Sequence, residues 1–431
     1  MPGPQAVTCH HCEVQAHPTF RARRATSDHL GQVWPGAVAE LEHRGRQAGL
    51  DAFGVCTAAP FLETRVALET RKAAGMHAGM GFTFRQPVYS TTPTMALREA
   101  RAIVVGALAY RCAEPPAPFA LDHSLDSRHA TDERGPLARV ASYAWEEYYA
   151  PLKVALGEVA ARLRADGWRT RVVVDDNALV DRAAAIRAGL GWSGKSANVL
   201  LPGRGSWFVL GSVLTDAPLV AHDPPPVADG CGSCRRCLDG CPTGAIVAPG
   251  VVDARRCLSW LLQAPGTFPR EYRVALGDRI YGCDDCQDVC PPNRRDDRHI
   301  AREAGPAAQA RVPVLDLLEA DDATLLERHG RWYIAGRDPR WLRRNALVVL
   351  GNTAPATDPA VTGRIRNAIA DQLASSDTML VVHAVWAARR LGHHDLLAAV
   401  ADHVADEVRA ELAVPIDIGI AAEPAVRRDA P

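Results

Sequence analysis

Eight of the twelve cysteines fall within sixty residues, between Cys231 and Cys290. Cys231, Cys234, Cys237 and Cys241 follow the spacing C-x2-C-x2-C-x3-C, closed by Pro242. Cys283, Cys286 and Cys290 form a second run closed by Pro291, and Cys257 stands alone between the two. The first spacing is that of bacterial ferredoxins, where the fourth cysteine of a run ligates the other of two four-iron clusters. It predicts one cluster on Cys231, Cys234, Cys237 and Cys290, and a second on Cys241, Cys257, Cys283 and Cys286. Cys257 replaces the cysteine that the second run lacks at its front. Each trailing proline turns the chain away and has no N–H to place. Zinc is the alternative, but zinc ribbons pair two CxxC steps across a spacer, whereas here the steps come as a triplet with a trailing CP. Disulfides are not expected, because no signal peptide is seen and a reducing cytoplasm keeps thiols free.

Three other groups of residues have types suited to chemistry. Asp175 ends an apolar strand, TRVVVDD, ahead of a helix, where a carboxylate can meet a ligand; Asp176 or Asn177 could instead cap that helix. Arg328, Arg331, Arg337, Arg340, Arg343 and Arg344 are interleaved with Trp332, Tyr333 and Trp341, a mixture that suits RNA phosphates and unstacked bases or, equally, a solvated basic face. Cys9, His10, His11 and Cys12 have metal-ligand types but no second pair nearby.

The elements that must position these residues follow from length and pattern. A chain of 431 residues exceeds one hydrophobic core, and 47% hydrophobic with 23% charged residues is a globular composition. No apolar run reaches the length of a membrane span, so a soluble, cytoplasmic protein is expected. The net charge of −1 argues against a general nucleic-acid coat and leaves room for a local basic patch. Of 49 basic residues only Lys72, Lys153 and Lys195 are lysines, and Lys195 alone sits in a turn-rich motif, GLGWSGK.

Residues 1–34 lack periodicity and read as a disordered tail. Helix and strand patterns alternate over 35–220 and predict an α/β layer, with a long loop over 113–138 and a helix starting in YAWEEYYAPLK. The proline-rich AHDPPPVADG reads as a stiff linker to a ferredoxin-like domain over 221–300. Residues 301–415 are helical, and Ala346 and Ala384 occupy matching places in RRNALVVLGN and VVHAVWAARRLG, a HEAT-like period. Residues 416–431 form a tail. The fold class expected is thus a multidomain α+β or α/β protein with a C-terminal helical unit.

In order and spacing, VDDNALVDR, GLGWSGK, RGSWFVLG, CGSCRRCLDGCPTGAI, CLSW, RIYGCDDCQDVCPPN and RRNALVVLGN resemble the epoxyqueuosine reductases of bacterial tRNA modification. The resemblance runs from about residue 36 to residue 400, and YGCDDCQ followed by the LRRNAL helix is its most specific part. It implies a cobalamin, as cob(II)alamin, fed with single electrons by the nearer of two [4Fe–4S] clusters. The implied reaction is reduction of epoxyqueuosine to queuosine at the wobble position of a tRNA anticodon. By motif, Asp175 matches the family's proton donor, and Asp175, Ser259 and Asp284 match positions around the corrin. The implied partners are the tRNA anticodon stem-loop and an external electron donor such as a flavodoxin or ferredoxin; no membrane partner is expected, and the chain reads as a monomer. The sequence departs from the family's YARGRDYH-like stretch, with Tyr143, Ala144, Trp145, Glu146, Glu147, Tyr148 and Tyr149 in its place. Two competing readings are a cobalamin-dependent reductase of another substrate, such as a dehalogenase, and an iron–sulfur electron-transfer subunit with no substrate of its own.

Overall fold

The structure is a computed structural model that describes residues 35–115, 131–132, 134–297, 303–353 and 358–415. The Cys9–Cys12 motif and both tails lie outside the described residues.

Four strands form the first sheet, in the order Ala52–Thr57, Ala102–Ala109, Phe208–Thr215, Thr170–Val173. Ala102–Ala109 is buried from Ala102 to Leu108, because both faces of the sheet are covered and neither face selects polar residues. On one face Leu152, Leu156 and Val159 of the helix Tyr149–Ala165, with Leu41 of the helix Pro35–Gln47, pack on Val104 and Val213. On the other face Ala184 and Ala185 of the helix Asp181–Arg187 meet Ile103, Val105 and Leu214. Gly106 and Gly211 face each other across the sheet. A Cβ on Gly106 would come within 2.9 Å of Leu50, and one on Gly211 within 2.8 Å of Leu156, so these glycines let the helical layer approach.

Every neighbouring pair in this sheet is antiparallel, so the α/β layer expected from helix–strand alternation is a mixed one whose strands do not run parallel. Helix–strand alternation along the chain does not determine strand direction, and the rule that ligands gather at the carboxyl ends of parallel strands does not locate this site.

A second sheet joins the rest. Gly135–Val140 pairs in parallel with Arg279–Tyr281 and antiparallel with Arg311–Pro313. Residues 135–138, expected in a loop, are therefore strand. This sheet takes strands from before, within and after the cysteine-rich stretch. The core beneath it runs from Val140 and Ile280 through Val312 to the helices Arg340–Asn352 and Thr378–Arg390. The proline-rich stretch is no spacer, since Asp223 accepts the Thr57 N–H at 2.7 Å and Trp192 lies against Gly230.

The helix expected to start near Tyr143 begins only at Tyr149. Ahead of it, Arg331 donates to the carbonyls of Ala144 and Trp145, and Trp332 Nε1 donates to Ala144 O at 3.3 Å. Glu147 Oε1 accepts the N–H groups of Tyr149 and Ala150 at 2.9 and 3.1 Å, which ends the segment and opens the helix. In the C-terminal unit a Cβ on Gly351 would lie 2.3 Å from the Trp386 ring, so Arg340–Asn352 and Thr378–Arg390 pack glycine against tryptophan. No described helix is long and apolar enough to cross a membrane.

Candidate active site

Where Thr170–Val173 ends, Asp175 takes φ +51°, a left-handed conformation that is uncommon outside glycine and concentrated at functional sites. Its neighbours are occupied by the turn. Asp176 Oδ1 accepts Ala178 N–H at 2.8 Å, and Asn177 Oδ1 accepts Thr83 N–H at 2.7 Å. The local bonding thus falls to Asp176 and Asn177, while Asp175 accepts no hydrogen bond among the described residues. Desolvation raises its carboxyl above the usual aspartate range; Glu147 and Asp176 add to the rise and Lys153 opposes it.

Asp181 opens the next helix, with Asp175 as an electrostatic neighbour. Its Oδ1 is buried without a partner. Burial first, and then the Asp175 charge, push its carboxyl well above the usual range. The Tyr149 phenol is raised by burial and by these same two carboxylates, which places it beside both.

Tyr143 and Tyr281 continue this wall. Tyr143 Oη lies 3.4 Å from Ser259 Oγ, and its ring centroid is 6.2 Å from that of Tyr281. Tyr281 stacks on Trp332 at 4.7 Å and 13°, and its Oη accepts Tyr333 N–H at 2.8 Å. Burial pushes the Tyr281 phenol up to about 12, with Asp175 among the contributing charges. Asp284 Oδ2 accepts Ser142 N–H at 2.6 Å, and its Oδ1 is buried without a partner among the described residues. Gly282, at φ +73°, is required where the wall meets the cysteines: a Cβ there would lie 2.5 Å from Ala141 Cβ and 2.6 Å from Tyr143 Oη.

The structure thus brings Asp175, Ser259 and Asp284 to one place through Tyr143, Tyr149 and Tyr281. Sequence reasoning assigned no role to Tyr149, Tyr281, Lys153 or Glu147. Signals were available: Tyr281 abuts the second cysteine run, and Lys153 is one of three lysines in the chain.

The seven cysteines of the two runs and Cys257 between them are all free thiols. The Cys290 thiol is pushed up to about 11, by burial first and then by Cys237, Cys231 and Cys234 around it. Burial raises Cys286 further, with Cys257 and Cys241 as its charged neighbours, and Cys283 is raised likewise, with Cys286 beside it. Ser259 follows Cys257 closely and Asp284 follows Cys283, so this second group is the one next to the aromatic wall.

The arginines expected to meet RNA are largely structural. Arg344 is buried and donates to the carbonyls of Leu261, Leu262, Ala264 and Gly266. Arg343 pairs with Asp322 at 2.5 Å, and Arg340 pairs with Asp338 and Asp377 at 2.6 and 2.7 Å. Arg331 holds the Tyr143 turn. Local composition could not distinguish these roles, because the carbonyls and carboxylates involved come from distant segments.

A strained carboxylic acid facing an aromatic wall, with paired cysteine runs behind that wall, defines an iron–sulfur oxidoreductase. Residues 230–293 match the 4Fe-4S double cluster binding domain family. The chain is 34% identical to the epoxyqueuosine reductase of Bacillus anthracis over 72% of its own length and 78% of the relative's. It is 35% identical to that of Bacillus subtilis over 74% and 80%. Among solved structures, it is similar to an epoxyqueuosine reductase crystallised with an epoxyqueuosine-modified tRNA stem-loop, with a TM-score of 0.74, 28% identity, and coverage of 89% of this chain and 97% of that one. A Bacillus subtilis structure, described as having its catalytic aspartate loop swung out of the active site, gives a TM-score of 0.73 at 27% identity, over 89% of this chain and 97% of that one. The chain belongs to the epoxyqueuosine reductase family.

Proposed function

We propose that the chain reduces epoxyqueuosine to queuosine at the wobble position of a tRNA anticodon in the cytoplasm, using two [4Fe–4S] clusters and a cobalamin. The observation that carries this reading is Asp175: strained, free of hydrogen bonds among the described residues, raised in pKa, and beside an aromatic wall backed by cluster cysteines.

The residues present fit the cobalamin in two respects. Tyr143 and Tyr149 are partly exposed aromatic rings that a flat macrocycle could lie on, with Tyr281 buried behind Tyr143, and the orphaned Oδ1 atoms of Asp181 and Asp284 are acceptors suited to its peripheral amides. Ser259, Asp284 and Asp175 would hold it, and when bound it would supply a low-potential centre able to pass electrons to the substrate. The grouping of Cys290 with the first run and of Cys257 and Cys241 with Cys286 supports crossed ligation, with the second cluster nearer the wall.

Removing the oxirane oxygen as water consumes two electrons and two protons, so an acid must stand at that oxygen. Asp175 is placed for this role. Desolvation keeps its proton available at higher pH than for an ordinary aspartate. Tyr149 and Asp181 are electrostatic neighbours of Asp175, whose own side chain stays open to solvent, where a substrate can reach it. A nucleotide must leave its stack to reach this point, at a cost of a few kcal/mol that backbone contacts offset. The C-terminal helices, read as a HEAT-like unit, hold the Tyr143 turn rigid through Arg331 and Trp332. An external donor of the flavodoxin or ferredoxin kind would load the outer cluster.

Asp175→Asn is nearly isosteric. It should keep iron content and tRNA affinity while queuosine formation, read by mass analysis of tRNA nucleosides, falls about a hundredfold or more. A loss of about tenfold or less would reduce Asp175 to a positioning group.

A further inference from the structure

The hairpin formed by Trp192–Ser193 and Val199–Leu200 projects from the first half of the chain onto the first cysteine run. At its base Trp192 Nε1 donates to Cys231 Sγ at 3.5 Å. The indole lies flat against the backbone of Gly230, where a Cβ would stand 2.6 Å from the ring. At the tip Lys195 Nζ donates to the carbonyls of Gly232 and Cys234, at 2.5 and 3.0 Å, and Lys195 O accepts Gly250 N–H at 2.9 Å. Gly232 takes φ +47°, and Asp229 accepts the N–H groups of Cys231 and Gly232 at 2.9 and 3.3 Å, so the loop around Cys231 is held from both sides. Among the described residues Lys195 makes no salt bridge within 4 Å; its ammonium points into the cysteine loop, with Asp229 as a carboxylate neighbour.

Reduction of a cluster adds an electron to a centre already surrounded by four thiolates. An N–H donated to a thiolate sulfur, or a fixed positive charge beside it, stabilises the reduced form and raises the potential. We propose that this hairpin sets the reduction potential of the cluster held by Cys231, Cys234, Cys237 and Cys290, with Trp192 as the N–H donor to its thiolate and Lys195 as latch and positive charge. The proposal rests on the double-cluster reading of the cysteines and is independent of the substrate.

The test is a redox titration of the reconstituted full chain, followed by electron paramagnetic resonance with iron counted in parallel. Trp192→Phe removes the N–H together with the outer ring edge that touches Gly230, and keeps an aromatic ring in the hairpin. Lys195→Gln keeps a donor and removes the charge, and Lys195→Arg restores the charge. The expected result is full iron in each variant, with one cluster potential lowered in Trp192→Phe and in Lys195→Gln, by about 59 mV if the one-electron equilibrium shifts tenfold. The other potential should stay fixed, and Lys195→Arg should return the first toward wild type. Full iron with both potentials unmoved would overturn the proposal, and so would both potentials falling together. If Trp192→Phe loses iron, the lysine pair decides: no shift in Lys195→Gln, or a shift that arginine does not reverse, overturns it. Wild-type protein holding well under about eight irons would instead remove the double-cluster reading.

Discussion

Asp175 and Asp181 are both aspartates whose carboxyls are raised by burial, yet only one stands where a proton is needed. With Asp175 proposed as the acid, activity should fall as pH rises through its raised pKa, where the carboxyl loses the proton it would give. Asp181 makes a different prediction. A carboxyl that binds its proton more tightly in the folded state than in the unfolded state favours folding at low pH, and that advantage is lost as pH climbs toward the folded pKa. Asp181→Asn removes this loss. Thermal unfolding should show a higher midpoint for Asp181→Asn than for wild type at pH 7 to 8, and the gap should close near pH 4, the ordinary aspartate range. An equal gap at both pH values would mean that the buried Oδ1 finds a partner when ionised. That Asp175 stays free was not legible in VDDN. The sequence offers Asp176 and Asn177 as caps, yet Val180 is the N-cap of the helix, Asp176 bonds within the turn, and Asn177 bonds the distant Thr83 N–H.

At the scale of elements, the double-cluster stretch was legible because ligand spacing is itself the chemistry, and the family match over 230–293 agrees with it; Cys257 is proposed as a ligand because the second run is one ligand short. Strand direction was not, because alternating helix and strand patterns fit parallel and antiparallel layers alike, and the first sheet is antiparallel throughout. Nor was the late start of the helix at Tyr149, which depends on Arg331 and Trp332 binding carbonyls nearly two hundred residues away. The helix Arg340–Asn352 shows the consequence. Arg344 donates to four carbonyls of the Leu261–Gly266 segment; Leu262 O keeps Asn345 Nδ2 and Gly266 is exposed, so Arg344→Ala costs about 1–3 kcal/mol for each buried acceptor left without a partner, besides the lost packing of a buried side chain. Chemical denaturation should show a large loss of stability, while tRNA affinity of the protein that remains folded is unchanged. A stable variant with weakened tRNA binding would return Arg344 to the RNA surface.

Across the whole molecule, the Gly135–Val140 strand joins the cysteine stretch, through Arg279–Tyr281, to Arg311–Pro313 and the core of the C-terminal helices. A chain with two complete clusters should carry about eight irons, and Cys257→Ala should lose about four while the cluster on Cys231, Cys234, Cys237 and Cys290 survives. A full complement in that variant would contradict crossed ligation. The central claim, that cluster electrons reach epoxyqueuosine by way of cobalamin, is tested most directly by anaerobic turnover of epoxyqueuosine-tRNA with the iron-loaded protein, with and without cobalamin. Mass analysis of the tRNA nucleosides should show queuosine only when cobalamin and a reductant are both present. Queuosine formed equally well without cobalamin, or none formed by protein holding clusters, cobalamin and bound tRNA, would contradict the account.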